Sequence, residues 1–234
     1  MKPRILYPAL LLIVFLISGW KLLVSKDEAL LTINKTVIYK DTITNSIYFT
    51  SGMNIDADGS PRAYHPVSDS GSDHLANAGR KGSWWGIVTE NGEPVIQEKD
   101  DPAPGFYVSC TSLQDATKKL TDPARYVNAD SIPYIVLPNN KILLAEIKMG
   151  DIAQVKNLRN GRTSYAICAD AGSKDKIGEG SIFLARELGI NASPKTGGIR
   201  DSVLYVVFAG SGNGKPRTKA VIDSIGAAIG SVQH

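Results

Sequence analysis

From Ile47 to Phe208 the chain is written in short apolar runs stopped by Gly, Pro, Asn or Asp. "SIYFT", "WWGIVT", "GFYVSCTSL", "PYIVLP", "DIAQVKN", "SYAICAD" and "SVLYVVF" are rich in Val, Ile, Tyr and Phe and have the length of strands. Several are almost continuously apolar, so the sheet they build must be covered on both faces, as in a barrel or sandwich. Asn160-Gly161, between two such runs, predicts a hairpin with a two-residue turn. Two segments carry helical patterns instead. "SIFLARELG" has Ser181 as N-cap and Gly189 just past its end. "KPRTKAVIDSIGAAIG" has Pro216 near its start and Val221, Ile222, Ile225 and Ile229 at helical spacing. The expected fold is mostly β with two or three helices.

The N-terminus follows different rules. Lys2 and Arg4 precede an uncharged run from Ile5 to Trp20 that Lys21 closes. A basic flank before an apolar core is the pattern of a signal peptide or signal anchor, and "ISGWKLL" offers no clean small-residue cleavage site. Residues 1–25 are therefore expected to be an N-terminal hydrophobic helix that directs export, and a membrane tether if uncleaved. Residues 26–46 read as a linker with one short strand, "TVIYK", and 47–234 as the catalytic domain. The expected location is extracellular or periplasmic. Residues 1–26 hold four basic residues and no acid, so the remainder has 22 basic and 23 acidic residues. The formal charge of +3 thus belongs to the leader, and nucleic acid is not an expected partner. Cys110 and Cys168 lie in apolar runs and read equally as a disulfide or as two buried thiols.

Several tempting motifs lack a necessary part. "AGSGNGKP" has Ala209 and Pro216 where a phosphate loop needs Gly and Ser or Thr, so it reads as a glycine-rich turn. "NIDADGS" resembles part of a calcium loop but has no Glu at the twelfth position; Asp56 and Asp58 there read as turn-closing acids. His65 and His74 show no metal-ligand spacing, and no metal or other cofactor is expected. Aromatic residues gather beside turns: Tyr64 next to His65, then Trp84, Trp85, Phe106 and Tyr107. Such rings pack in a core or present flat apolar faces to sugars.

Asp170 and Glu179 pose a different question. One ends a strand-like run, the other precedes a helix, and a turn of small and charged residues separates them. Glycosidic bonds yield to two carboxyl groups held apart in unlike environments, one protonated and one ionised. The same residues also serve as a turn cap and a partner of the helix dipole, and spacing alone does not decide between these uses.

The order of "IDADGS", "TSL", "IPYIVLP", "GDIAQV", "YAICAD" and "IGEGS" resembles that in chitosanases of glycoside hydrolase family 75. "PRAYHP", "LANAG", "GSWWGIVT", "DPAPGFYVS" and "LYVVFAGSG" are similar to its bacterial-type members, and the likeness spans about Ile47 to Gly214. The turn between the acids is shorter than in fungal members, and Ala57 stands where they have Cys. The resemblance implies a double-psi β-barrel-like core and inverting cleavage of internal β-1,4 bonds in chitosan. It also implies Asp170 and Glu179 as the catalytic pair. For a cationic polysaccharide partner, Asp56 and Asp58 become candidate ammonium-binding residues, with Tyr64, His65, Trp84, Trp85 and Tyr107 as candidate sugar contacts. Two other readings of the same barrel are peptidoglycan cleavage, by hydrolysis or lytic transglycosylation, and polysaccharide binding without turnover.

Overall fold

The computed structural model describes residues 27–67 and 70–232. Its strands are β1 (Asp27–Ile33), β2 (Thr36–Asp41), β3 (Ser46–Asp56), the two-residue β4 (Gly79–Arg80), β5 (Ser83–Trp84), β6 (Thr89–Glu90) and β7 (Glu93–Pro94), then β8 (Tyr134–Pro138), β9 (Ile152–Asn157), β10 (Thr163–Gly172), β11 (Glu179–Ser181) and β12 (Ile199–Phe208). Among the described residues three α-helices accompany them: α1 (Lys141–Glu146), α2 (Ile182–Glu187) and α3 (Lys219–Val232).

Six strands close on themselves in the order β3-β11-β8-β10-β9-β12, with β12 pairing back to β3. Two pairings are parallel, β3 with β11 and β8 with β10; the other four are antiparallel. Exchanging β3, β8 and β9 for β10, β11 and β12 maps this order onto itself, the interleaving of a double-psi barrel. Asp56 closes β3 and Asp170 lies near the end of β10, so the two acids stand at matching ends of exchanged strands. Closure leaves the barrel without a free edge.

The apolar runs fill the interior as their patterning requires. All five residues of β8 are buried, whereas β12 alternates, with Val203, Tyr205 and Val207 inside. Tyr205 stacks on Phe49 at 4.7 Å between ring centroids, and its hydroxyl donates to the Gly52 carbonyl at 3.0 Å. The helix α3 lies on β10 and β9, where Gly226 leaves room for the Tyr165 ring; a Cβ there would sit 2.3 Å from it. Ile222 is the fully buried anchor of that helix, while Val221, expected on the same apolar stripe, is exposed.

Several expectations change. "WWGIVT" and "GFYVSCTSL" are not barrel strands; they form two-residue pairs and isolated bridges such as Ile87 with Ser109. Val88 and Val108 pack with Tyr126 in a small cluster of their own, whereas Ile87 and Leu113 join the main core. The Asn160-Gly161 hairpin exists, but its connection is longer than two residues. Asn157 N–H donates to the Arg162 carbonyl, and Gly161 alone of the turn is left-handed, at φ +76°. The Asn157 and Asn160 side chains instead donate to the Leu188 carbonyl, so this loop caps the end of α2. Helix α1 carries too few turns for its periodicity to show; its signal is Asn140, whose side chain accepts from Ile142 and Leu143 N–H. The segment expected as a linker contains the β1-β2 hairpin, which joins the sheet through β2 and β3 and buries Ile33 and Ile38. The hydrophobic helix expected over residues 1–25 lies outside the described residues. Among the described residues no helix is long and apolar enough to cross a membrane. Cys110 and Cys168 are free thiols.

Gly178 carries a fold-level test. Its φ is +86°, and a Cβ there would lie 2.3 Å from Ser51 Oγ and 2.4 Å from the Gly52 carbonyl oxygen. Gly92 has a similar φ of +85° but faces open space. Gly178→Ala is expected to cost about 3 kcal/mol or more, and Gly92→Ala about 1 kcal/mol, in urea denaturation. Equal losses would mean that backbone strain alone, not the close approach of β3, governs this turn.

Candidate active site

Asp170 reaches its position through a bulge. In the β8-β10 ladder Cys168 pairs with Ile135 and Asp170 with Val136, so Ala169 is an extra residue. A bulge turns the chain and frees a carbonyl from the ladder. The Ala169 carbonyl accepts Leu113 N–H at 2.8 Å, which draws the "TSL" segment against the strand end. Ser112 then donates to Asp170 Oδ1 twice, from its hydroxyl at 2.6 Å and its backbone N–H at 2.9 Å. Ala171 N–H is a third donor to the same oxygen, at 2.8 Å.

Glu179 is set by its neighbours in β11, wedged between β3 and β8. Gly178 makes the turn into the strand, and Gly180 sits where a Cβ would press the Leu184 side chain at 2.9 Å. Ser181 ends the strand and caps α2: its hydroxyl accepts Leu184 N–H and Tyr134 N–H and donates to the Ile132 carbonyl. Gly178 on one side and Gly180 with the Ser181 cap on the other thus hold the glutamate in place.

The "IDADGS" turn brings two further acids. Asp56 Oδ1 accepts Asp58 N–H at 3.0 Å, the turn closure expected from the sequence. Asp56 Oδ2 accepts the Tyr134 hydroxyl at 3.0 Å, and Asp58 Oδ1 accepts the Tyr64 hydroxyl at 2.7 Å. Gly59 permits the tight passage behind them; a Cβ would fall 2.1 Å from the Val127 carbonyl oxygen. Carboxyl oxygens of Asp56, Asp58 and Asp170 lie within 4.8 Å of one another. A cation would fit that spacing; the Tyr134, Tyr64 and Ser112 hydroxyls also donate to one oxygen of Asp56, Asp58 and Asp170 in turn.

All four acids line one cleft of about 820 Å³. Tyr64 and Trp85 line it as well, whereas His65, Trp84 and Tyr107 are outside the lining. Trp85 is 62% exposed and its indole N–H donates to the Asn77 carbonyl, which fixes a free ring face at the rim. Trp84 and Tyr107 pack together against the core, with centroids 6.4 Å apart. His65 stands edge-on to Phe106 and its Nδ1 accepts Val67 N–H. Tyr64 is buried and serves Asp58 through its hydroxyl, with no face presented for stacking. The cleft adds Asp73, buried and bonded to Asn77, together with Lys176 and Lys195. The sequence offered a signal for Ser112, inside "TSL", but none for the two lysines, which sit in ordinary charged turns.

Burial drives the electrostatics. It raises the Asp170 carboxyl above its usual range, and the Ser112 and Ala171 donors pull it back. Asp56 and Asp58 are pushed well above theirs, by burial first; the charges of Glu179 and Asp170 add to it for Asp56, and those of Asp56 and Asp170 for Asp58. Glu179 is also raised by burial, with Lys176 opposing and Asp170 adding to the rise. Asp170, with three donors on one oxygen, is therefore the member best fitted to carry the negative charge, and Glu179 is fitted to keep a proton. Cys110, beside Asp58 and Asp170, is pushed up to about 12, mainly by burial, and is a poor nucleophile at neutral pH.

A folded-state rise in carboxyl pKa has a definite sign in stability. The folded protein holds the proton more tightly than the unfolded chain, so stability falls as pH climbs above the ordinary value of 3.8 for Asp58. Asp58→Asn removes that loss and keeps an Oδ1 to accept from Tyr64. Thermal melts from pH 4 to 8 should show a flatter decline for Asp58→Asn than for the parent, and a higher Tm at pH 7. Parallel declines would place Asp58 outside the set of groups held protonated by the fold.

Two carboxyl groups in unlike settings on one cleft are what cleavage of a glycosidic bond requires. Comparison with curated proteins finds no match. Residues 53–228 match the family described as fungal chitosanase of glycosyl hydrolase group 75, a span that includes Asp56, Asp58, Ser112, Asp170 and Glu179. The chain belongs to that glycoside hydrolase family.

Proposed function

We propose that this protein cleaves internal β-1,4 bonds of chitosan or a closely related glucosamine polymer, with inversion at the anomeric carbon. The observation that carries the reading is the contrast between two acids lining one cleft: Asp170 with three donors on Oδ1, Glu179 raised by burial against the pull of Lys176. Asp170 is the base. Its free oxygen, Oδ2, takes a proton from water as that water's oxygen bonds to C1 of the sugar. Glu179 is the acid. It gives its proton to the glycosidic oxygen as the C1–O bond breaks, and the products leave as two sugar chains.

Asp56 and Asp58, with Asp73 nearby, supply the acidic wall that a cationic polymer needs, since an ammonium group beside Asp56 and Asp58 favours their ionised forms. The exposed face of Trp85 is a platform for one sugar ring at the rim. An exported location, argued from residues 1–25, fits a substrate too large to enter a cell.

Asp170→Asn and Glu179→Gln should each reduce chitosan cleavage by about 10³-fold or more, read as reducing ends, while the Tm stays at or above that of the parent. Proton NMR during digestion by the parent should show the α-anomer first. A β-anomer first would mean retention. Products with 1,6-anhydro ends from cell-wall material, with none from chitosan, would favour lytic transglycosylation. Unchanged polymer binding with no turnover in the parent would leave a binding barrel.

A further inference from the structure

We propose that Ser112 is a positioning residue that makes Asp170 the water-activating member of the acid cluster, by occupying Oδ1 and leaving Oδ2 to face the cleft. The proposal rests on the hydrolase reading and goes beyond it by naming a residue, outside the cleft lining, that selects which acid and which oxygen react.

Four observations support it. The Ser112 hydroxyl and N–H reach the same oxygen, at 2.6 and 2.9 Å. Ala171 N–H is shared between that oxygen at 2.8 Å and the Ser112 hydroxyl oxygen at 3.2 Å. A hydroxyl that accepts from Ala171 has its own proton left to donate, and Asp170 is where it points. The serine is held in place by the bulge, through Leu113 N–H to the Ala169 carbonyl. Finally, Ser112 is an exposed residue, so its contacts with a buried carboxylate are not a by-product of core packing.

The surroundings of Asp170 give this contact its weight. Asp56 and Asp58 face it from the end of β3 and the turn beyond, Glu179 from β11, the Tyr134 hydroxyl from β8 and the Cys110 thiol from the loop before Ser112. Lys176 lies beside Glu179 and acts on it. Among chemically similar acids this close together, whichever receives the most donors keeps the charge. Asp56 and Asp58 also have donors, but spread over both oxygens of Asp56 and dominated by one tyrosine at Asp58.

The test is a carboxyl ¹³C NMR titration of the parent, Ser112→Ala and Ser112→Thr, with Asp170 assigned through Asp170→Asn. Loss of one hydrogen bond to a charged group should move the Asp170 midpoint up by about one pH unit in Ser112→Ala. Ser112→Thr keeps the hydroxyl, has solvent for its extra methyl, and should titrate like the parent. The acid limb of kcat/KM on chitosan should move to higher pH by the same amount in Ser112→Ala, with KM unchanged and kcat on the plateau about tenfold lower. An unmoved Asp170 midpoint in Ser112→Ala overturns the assignment, whatever the activity. A moved midpoint in a protein that never cleaves chitosan upholds the Ser112 contact and removes the hydrolase reading instead.

Discussion

Three carboxyl groups whose oxygens lie within 4.8 Å of one another cannot all be ionised in a buried site. The rest of the molecule is organised around that repulsion. At an effective dielectric constant near 20, two unit charges 4.8 Å apart repel by about 3 kcal/mol, more than the net contribution of most single hydrogen bonds. The cluster therefore holds few charges, and the placement of donors decides where they sit. Ser112 and Ala171 on Asp170, and tyrosine hydroxyls on Asp56 and Asp58, are that placement.

The barrel makes the crowding stable. Asp56 and Asp170 end exchanged strands of a closed, interleaved sheet, and neither can retreat without breaking ladder pairs. Glu179 is carried on a strand of three residues, pinned by two glycines and by the Ser181 cap. A polymer cleft with mobile acids would lose the contrast between proton donor and base. Here Asp56, Asp170 and Glu179 lie on strands that buried residues such as Met53, Ile55, Ile167, Ala169 and Ser181 anchor in the interior.

Much of this was legible in the sequence. The β character and the helix over Ile182–Glu187 with its Ser181 cap followed from patterning and turn chemistry, and the family from the likeness of its motifs to known members. Barrel order did not, because period-2 patterning reveals which residues face inward and is silent on which strands are neighbours. "WWGIVT" and "GFYVSCTSL" have strand composition but pack as loops, since aromatic and β-branched residues are equally at home beneath a long connection. Among the expected sugar contacts, the cleft takes Trp85 and uses Tyr64 as a hydrogen-bond donor, while Trp84 and Tyr107 go to the core. Adjacent tryptophans in an extended segment point to opposite sides, so at most one of the pair was available to the cleft. Lys176 and Lys195 gave no signal at all, because a lysine in a solvated turn reads the same whether or not the fold brings it to a site.

If Asp170 and Glu179 act on one sugar linkage from opposite sides, a crystal structure of Glu179→Gln with a bound glucosamine oligomer will catch them there. The glycosidic oxygen should lie within hydrogen-bonding reach of residue 179, with a water between Asp170 Oδ2 and C1 and the two carboxyl positions roughly 6.5–9.5 Å apart. An oligomer seated in the separate groove lined by Tyr126, Asn128 and Arg217, or one in the cleft with both acids on the same side of the linkage, would contradict it.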